Sequence, residues 1–247
     1  APGAGFVDTA VYQNIFTKKP EPTWWEQKLW NLYDVPPIAA NFANTTAIAY
    51  SGELDKQKQA ADLMAAAFVR EGMKLTHLIG PKVGHKYEPK TKLEVARHVN
   101  AAANKGTSAY ARKVRFTTFT LRQNRMKWIS VWGLEQHWKE ARVGAEYVDD
   151  WEYRVKTQNV TALMIEQLEG PKQGTSNYVV KIDGQILKTK PKRNAQILLR
   201  KFNKRWEIMP SLQQNSLVKA PGLQGPIDDA FLERFLMVKP TGKPMNV

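Results

Sequence analysis

The hydrophobic period of this chain changes near residue 106, and that change separates two kinds of fold. Before it, apolar runs alternate with helical stretches. Thr45-Thr46-Ala47-Ile48-Ala49-Tyr50 is apolar on consecutive positions, as a strand covered on both faces would be. From Lys56 to Glu71 the pattern is helical: Ala60, Leu63, Met64, Ala67 and Phe68 share one face, Asp55 stands at the expected N-cap and Gly72 supplies the stop. A second strand is predicted at Lys74–Ile79, broken by Gly80-Pro81, and a loop then leads into a helix from about Pro89 to Ala103. Strand, helix, strand, loop, helix is the rhythm of a parallel, doubly wound sheet.

After Gly106 the runs are β-branched and aromatic: residues 114–121, 128–132, 153–157, 178–182 and 197–199, punctuated by turn signals such as Asp183-Gly184 and Asn124-Arg125. The expected fold class is therefore α/β plus all-β. Residues 1–106 form the α/β part, and residues 112–247 form an antiparallel, sandwich-like β domain with few contacts to the first core. The aromatic stretch Trp24–Tyr33 lies between prolines that leave room for only a short helix. Its aromatics either pack under a loop or overhang a cleft.

Chemistry is constrained by what is missing. The chain has no cysteine, which excludes disulfides, thiolate metal sites and a cysteine nucleophile. The histidines show no metal-ligand spacing, and no cofactor motif occurs. No apolar run is long enough to span a bilayer. The formal net charge of +14 favours an anionic partner. Its densest clusters hold Lys188, Lys190, Lys192 and Arg193, then Lys201, Lys204 and Arg205. A β-rich module gripping an anionic polymer, polysaccharide or nucleic acid, through these residues is one functional reading.

The other reading starts from order. Asp55 follows the first strand and His85 the second, with one helix and one strand between them. An acid and a histidine in that order can meet above the C-terminal edge of a parallel sheet. Against this, Asp55 could simply cap a helix, and His85 could be a surface histidine. His77, His98 and His137 lack such context and read as strand, helix-face or surface residues. Ser51, Ser108, Ser130, Ser176, Ser211 and Ser216 lie outside any Gly-x-Ser-x-Gly elbow.

Tyr50-Ser51-Gly52-Glu53-Leu54-Asp55-Lys56-Gln57 and Gly80-Pro81-Lys82-Val83-Gly84-His85-Lys86-Tyr87 resemble the acid turn and histidine loop of prolyl-oligopeptidase-like serine hydrolases of the α/β-hydrolase superfamily. Ala1–Phe6 resembles the end of the strand that follows the nucleophile helix. The likeness covers about two-fifths of the chain. The remainder resembles, more weakly, β-rich regions attached to such hydrolases in some bacterial proteins. The resemblance implies the late strands of a hydrolase sheet, with Asp55 and His85 as triad acid and base acting on ester or peptide substrates. The nucleophile and oxyanion hole would then lie before Ala1, in a missing N-terminal half, and this chain alone would be inactive. Read this way, the N-terminus is an internal cut, so a signal peptide is not visible and the compartment stays open.

Overall fold

A computed structural model describes residues 5–12, 21–108, 110–149, 151–167, 177–190, 196–212, 218–225, 234, 236–239 and 241–242. It is a mixed α/β structure with most of its strands in antiparallel sheets. The helices are α1 (Trp24–Trp30), α2 (Lys58–Arg70) and α3 (Pro89–Lys105), and a 3-10 segment spans Pro36–Asn44. The first strands are β1 (Ile48–Gly52) and β2 (Thr76–Gly80). They continue with β3 (Lys113–Thr118), β4 (Arg125–Met126), β5 (Ile129–Leu134), β6 (Ala141–Asp149), β7 (Glu152–Gln158) and β8 (Val160–Glu166). The last four are β9 (Tyr178–Ile182), β10 (Gln185–Thr189), β11 (Gln196–Phe202) and β12 (Arg205–Ile208). None of the helices is long and apolar enough to cross a membrane, among the described residues.

β1 and β2 pair in parallel, Ile48 opposite Thr76 through Gly52 opposite Gly80. Side chains alternate across a strand. Ser51 and its partner His77 turn toward Asp62 on α2, while Tyr50 turns toward Glu88 at the start of α3, so the two helices cover opposite faces. Met64, Ala67 and Phe68 of α2 pack with Ala39, Phe42 and Leu75 to form this part's small core. Among the described residues β1 has β2 as its one partner, and its other edge opens into an apolar groove of about 510 Å³ between the two helices. Of the Ala1–Phe6 stretch only Gly5 and Phe6 lie among the described residues, and they form no strand.

The β-rich part stacks two five-stranded sheets, ordered β10-β9-β7-β6-β3 and β12-β11-β8-β5-β4. All pairings in them are antiparallel except β7 with β9. Their inner faces enclose one large core that includes Trp128, Tyr153, Tyr178, Leu163, Ile165 and Trp206. Asp183-Gly184 and Asn203-Lys204 both have positive φ, the two-residue turn that suits the twist of a hairpin. The Asn124-Arg125 turn expected from sequence is displaced: Arg125 already belongs to β4, and the hairpin reverses around Lys127, whose φ is +54°.

The apolar cores of the two parts are separate, yet the junction is well bonded. Asn41 donates to the Thr117 carbonyl (2.9 Å) and accepts from its N–H (2.7 Å). Asn44 does the same with Arg115, at 2.6 and 3.1 Å. Two side-chain amides thus complete the hydrogen bonds of β3, the edge strand of its sheet. Below them Glu71 bridges the guanidinium groups of Arg115 and Arg142. The polar contacts are more numerous than the change of period led us to expect.

Candidate active site

The acid turn and the histidine loop are stitched to each other before either reaches its functional side chain. Glu53 N–H donates to the Gly80 carbonyl (2.8 Å), Leu54 N–H to the Val83 carbonyl (2.9 Å), and Lys82 N–H to the Glu53 carboxylate (2.7 Å). Such close passage needs a glycine. A Cβ on Gly52 would lie 2.1 Å from the Gly84 oxygen and 2.4 Å from that of Val83. Tyr50 fastens the far side of the loop. Its hydroxyl donates to the Lys86 carbonyl and accepts from Glu88 N–H, and its ring stacks on Tyr87 at 4.4 Å.

This scaffold brings Asp55 and His85 together, Nδ1 to Oδ2 at 3.0 Å. The Asp55 side chain is only 6% exposed and the His85 ring 68%. Asp55 is not the helix cap that its position suggested, because α2 begins at Lys58 with Gln57 as N-cap. Oδ1 instead accepts the Gln57 N–H at 2.8 Å in a local turn, leaving Oδ2 for the histidine. With Nδ1 donating to a carboxylate, the proton-accepting lone pair resides on Nε2. The pair borders a cleft of about 730 Å³, also lined by Asp8, Tyr12, Leu54 and Gln59. Thr9 N–H and hydroxyl donate to Asp34, at 2.8 and 2.6 Å, tying the 5–12 segment to the residues after α1. Burial raises the Asp34 carboxyl above its usual pKa.

None of the serines described hydrogen-bonds to His85. Ser51 is engaged elsewhere, its hydroxyl 2.7 Å from Nε2 of His77, whose Nδ1 is 3.7 Å from Asp62. The residue types imitate a triad, but Ser51 has no exposed surface and the acid contact is too long for a hydrogen bond. Burial lowers the pKa of His77. Ser176 and Ser216 lie outside the described residues. No cluster of three potential metal ligands occurs among the described residues. Gly52, Tyr50 and Tyr87 lie within the two stretches that the sequence singles out, but their supporting role shows only in the structure. A glycine immediately after a strand and two tyrosines flanking the two loops were the available signals.

The aromatic stretch is mixed in exposure: Trp24 is 70% exposed and Trp25 and Tyr33 are exposed, while Leu29, Trp30 and Leu32 are half-buried. α1 buries none of its residues fully and starts at its own Thr23–Glu26 capping box. Of the seven basic residues singled out for polymer binding, Lys188, Lys190, Lys201, Lys204 and Arg205 lie among the described residues. Lys201 is largely buried, with its ammonium 3.3 Å from Glu135 and set over the Trp206 ring. Lys188 projects from β10, Lys204 and Arg205 belong to the β11–β12 hairpin, and Lys192 and Arg193 lie outside the described residues. No protein-family profile, curated protein or solved structure matches this chain.

Proposed function

We propose that Asp55 and His85 are the acid and base of a serine hydrolase that cleaves ester or peptide bonds through an acyl-enzyme. In this reading β1, β2, α2 and α3 are the late elements of an α/β-hydrolase sheet, and the nucleophilic serine comes from a segment outside these 247 residues. The observation that carries the proposal is the 3.0 Å contact between a buried carboxylate and an exposed imidazole beside an open cleft. Among the described residues β1 is hydrogen-bonded to β2 alone, and the apolar groove along its other edge leaves room for a further strand of such a sheet.

The chemistry follows from the polarity of the pair. Asp55 holds His85 in the tautomer with its proton on Nδ1, so Nε2 can take the serine proton as the oxygen attacks a carbonyl. The imidazolium that forms is stabilised by the carboxylate and then protonates the leaving group. Water repeats the sequence on the acyl-enzyme. A dyad with no hydroxyl near Nε2 can only assist water, an effect worth ~10²–10⁴-fold, and without oxyanion donors it forgoes another ~10²–10³.

The test is hydrolysis of a p-nitrophenyl ester by the 247-residue chain, by the same chain with its upstream coding sequence, and by the longer protein carrying His85→Ala. The expected result is silence from the short chain, activity in the longer one, and loss of that activity with His85→Ala. Full activity in the His85→Ala protein would refute the proposal. So would a short chain that turned over ester and was stopped by a serine-directed covalent inhibitor.

A further inference from the structure

His85 sits at the apex of a three-residue turn in which Lys86 N–H donates to the Gly84 carbonyl at 2.8 Å. Its ring is 68% exposed, so packing holds little of it. Apart from the Asp55 contact, the direction in which Nε2 points is set by the backbone on either side of that turn. Both flanks are fastened from β1 and the turn that extends it, but by different means.

The upstream flank is held by backbone. Leu54 N–H donates to the Val83 carbonyl, and the chain at Gly52 passes against the Val83 and Gly84 oxygens. The downstream flank, residues 86–88, has no backbone hydrogen bond to β1 or β2 among the described residues. A single side-chain oxygen takes that place. The Tyr50 hydroxyl donates to the Lys86 carbonyl at 2.9 Å and accepts the Glu88 N–H at 2.8 Å, so it donates and accepts on the stretch that joins His85 to α3. Tyr50 is only 4% exposed and stands opposite Leu78 in the middle of the β1–β2 ladder, which gives the oxygen a rigid support. Gly80 leaves the room it needs, because a Cβ there would run into the Tyr50 hydroxyl. A phenylalanine would fill the same space and keep the stack on Tyr87. What the tyrosine adds is a hold on the residue that follows His85.

We infer that Tyr50 is a positioning residue for His85: its hydroxyl fixes the downstream end of the turn and thereby the direction from which the imidazole meets Asp55. The inference rests on reading His85 as the base of the proposed hydrolase. It adds that one strand aims both groups, Asp55 through the turn after Gly52 and His85 through Tyr50. A hydrogen bond is directional, so a turn released on one side lets the exposed ring swing away from Oδ2. The proton is then no longer confined to Nδ1, because the partner of that nitrogen is what selects the tautomer.

The test is read on the 247-residue chain itself, from proton–nitrogen spectra of the imidazoles. They are recorded near pH 8.5, about two units above the ordinary histidine value, with His85 assigned by comparison with His85→Gln. The wild type should show His85 with its proton on Nδ1. Tyr50→Phe should lower the ratio of the Nδ1–H to the Nε2–H form about threefold or more, with the melting temperature down by only a few degrees. Gly80→Ala should produce the same shift by crowding the hydroxyl, and it supplies the answer if Tyr50→Phe does not fold. The double variant should shift no further than either single one, since both act through one group. In the proposed longer protein, if it is active, Tyr50→Phe should lower kcat about tenfold with KM changed little. An inactive longer protein would count against the hydrolase and leave the tautomer ratio to decide the role of Tyr50. A His85 spectrum in folded Tyr50→Phe or Gly80→Ala that superimposes on the wild type's would overturn the inference. So would a wild type with no excess of the Nδ1–H form, which would remove the pair itself.

Discussion

Nδ1 of His85 lies 3.0 Å from Oδ2 of Asp55, with the carboxylate sealed and the imidazole open to solvent. If the pair is the acid and base of the proposed hydrolase, Asp55→Asn is the most selective probe of it. An amide at this position keeps the volume and can still hold the ring, but it favours the wrong tautomer. In the proposed longer protein, if it is active, kcat for ester hydrolysis should fall by ~10³–10⁴, with KM changed little. An Asp55→Asn enzyme within about threefold of wild type would reduce the contact to a loop brace.

Gly52 determines whether that contact forms. Any side chain there runs into the backbone oxygens of Val83 and Gly84, which belong to the loop carrying His85. Backbone cannot swing aside as a flexible side chain can. Gly52→Ala should therefore displace the loop and cost roughly 1–3 kcal/mol in chemical denaturation. A stability and esterase activity equal to wild type would show the loop to be more compliant than these distances imply. Gly84→Ala is the internal control, because a Cβ there meets no atom within 4 Å.

Glu71 should couple the two parts of the fold in a pH-dependent way. Its side chain is mostly buried, and hydrogen bonding from Arg142 lowers its pKa, with the charges of Arg142 and Arg115 acting in the same direction. A carboxyl whose pKa is depressed on folding contributes stability that is present above its unfolded value of about 4.5. That contribution is lost as pH falls through the lower folded value. Glu71→Gln should cost roughly 1–2 kcal/mol at neutral pH, discounted because both arginines are partly exposed, and should flatten the acid limb of the stability curve. Urea titrations of both proteins at pH 7 and at pH 3 check this. Parallel losses at the two pH values would exclude the ionic contribution.

Much of this was readable in the sequence because it is local. Asp55 and His85 stand in short glycine-bearing turns directly after two strands, so their convergence follows from the order of elements alone. The helical period of α2 and the Asp183-Gly184 hairpin are equally local. β6 and β8 were not legible, for opposite reasons. Ala141–Asp149 contains alanine and glycine, weak strand formers whose alternation becomes visible only beside β3 and β7. Val160–Glu166 is apolar on consecutive positions because it has a core on each face, Leu163 and Ile165 inside the sandwich and Ala162 and Met164 beneath Leu212. The junction was illegible in another sense. Asn41 and Thr117 are 76 positions apart, and an asparagine that completes a strand edge carries no local signature.

Ser51 provides the sharpest check on which serine and histidine do chemistry. It lies beside His77 with Asp62 beyond, so a search by residue type alone would select it over a nucleophile supplied from elsewhere. Access and geometry oppose that choice: the hydroxyl is fully buried, and the acid stands too far from the ring to fix a tautomer. Ser51 is better explained as the partner that satisfies His77 inside the sheet. Under the proposed function, Ser51→Ala should leave a fluorophosphonate-reactive serine and full esterase activity in the proposed longer protein. It should also cost roughly 1–2 kcal/mol, because the buried imidazole nitrogen loses its partner. The same packing bears on titration, since burial lowers the pKa of His77. For a histidine depressed in the fold, the unfolded chain binds the proton first. Stability is therefore complete above the unfolded value near 6.5 and declines as pH falls toward the lower folded value. His77→Gln should reduce that decline in melting experiments between pH 7.5 and about 5. Loss of fluorophosphonate labelling in Ser51→Ala would instead make Ser51 the nucleophile and His77 its base, and Asp55 with His85 would then be a structural pair.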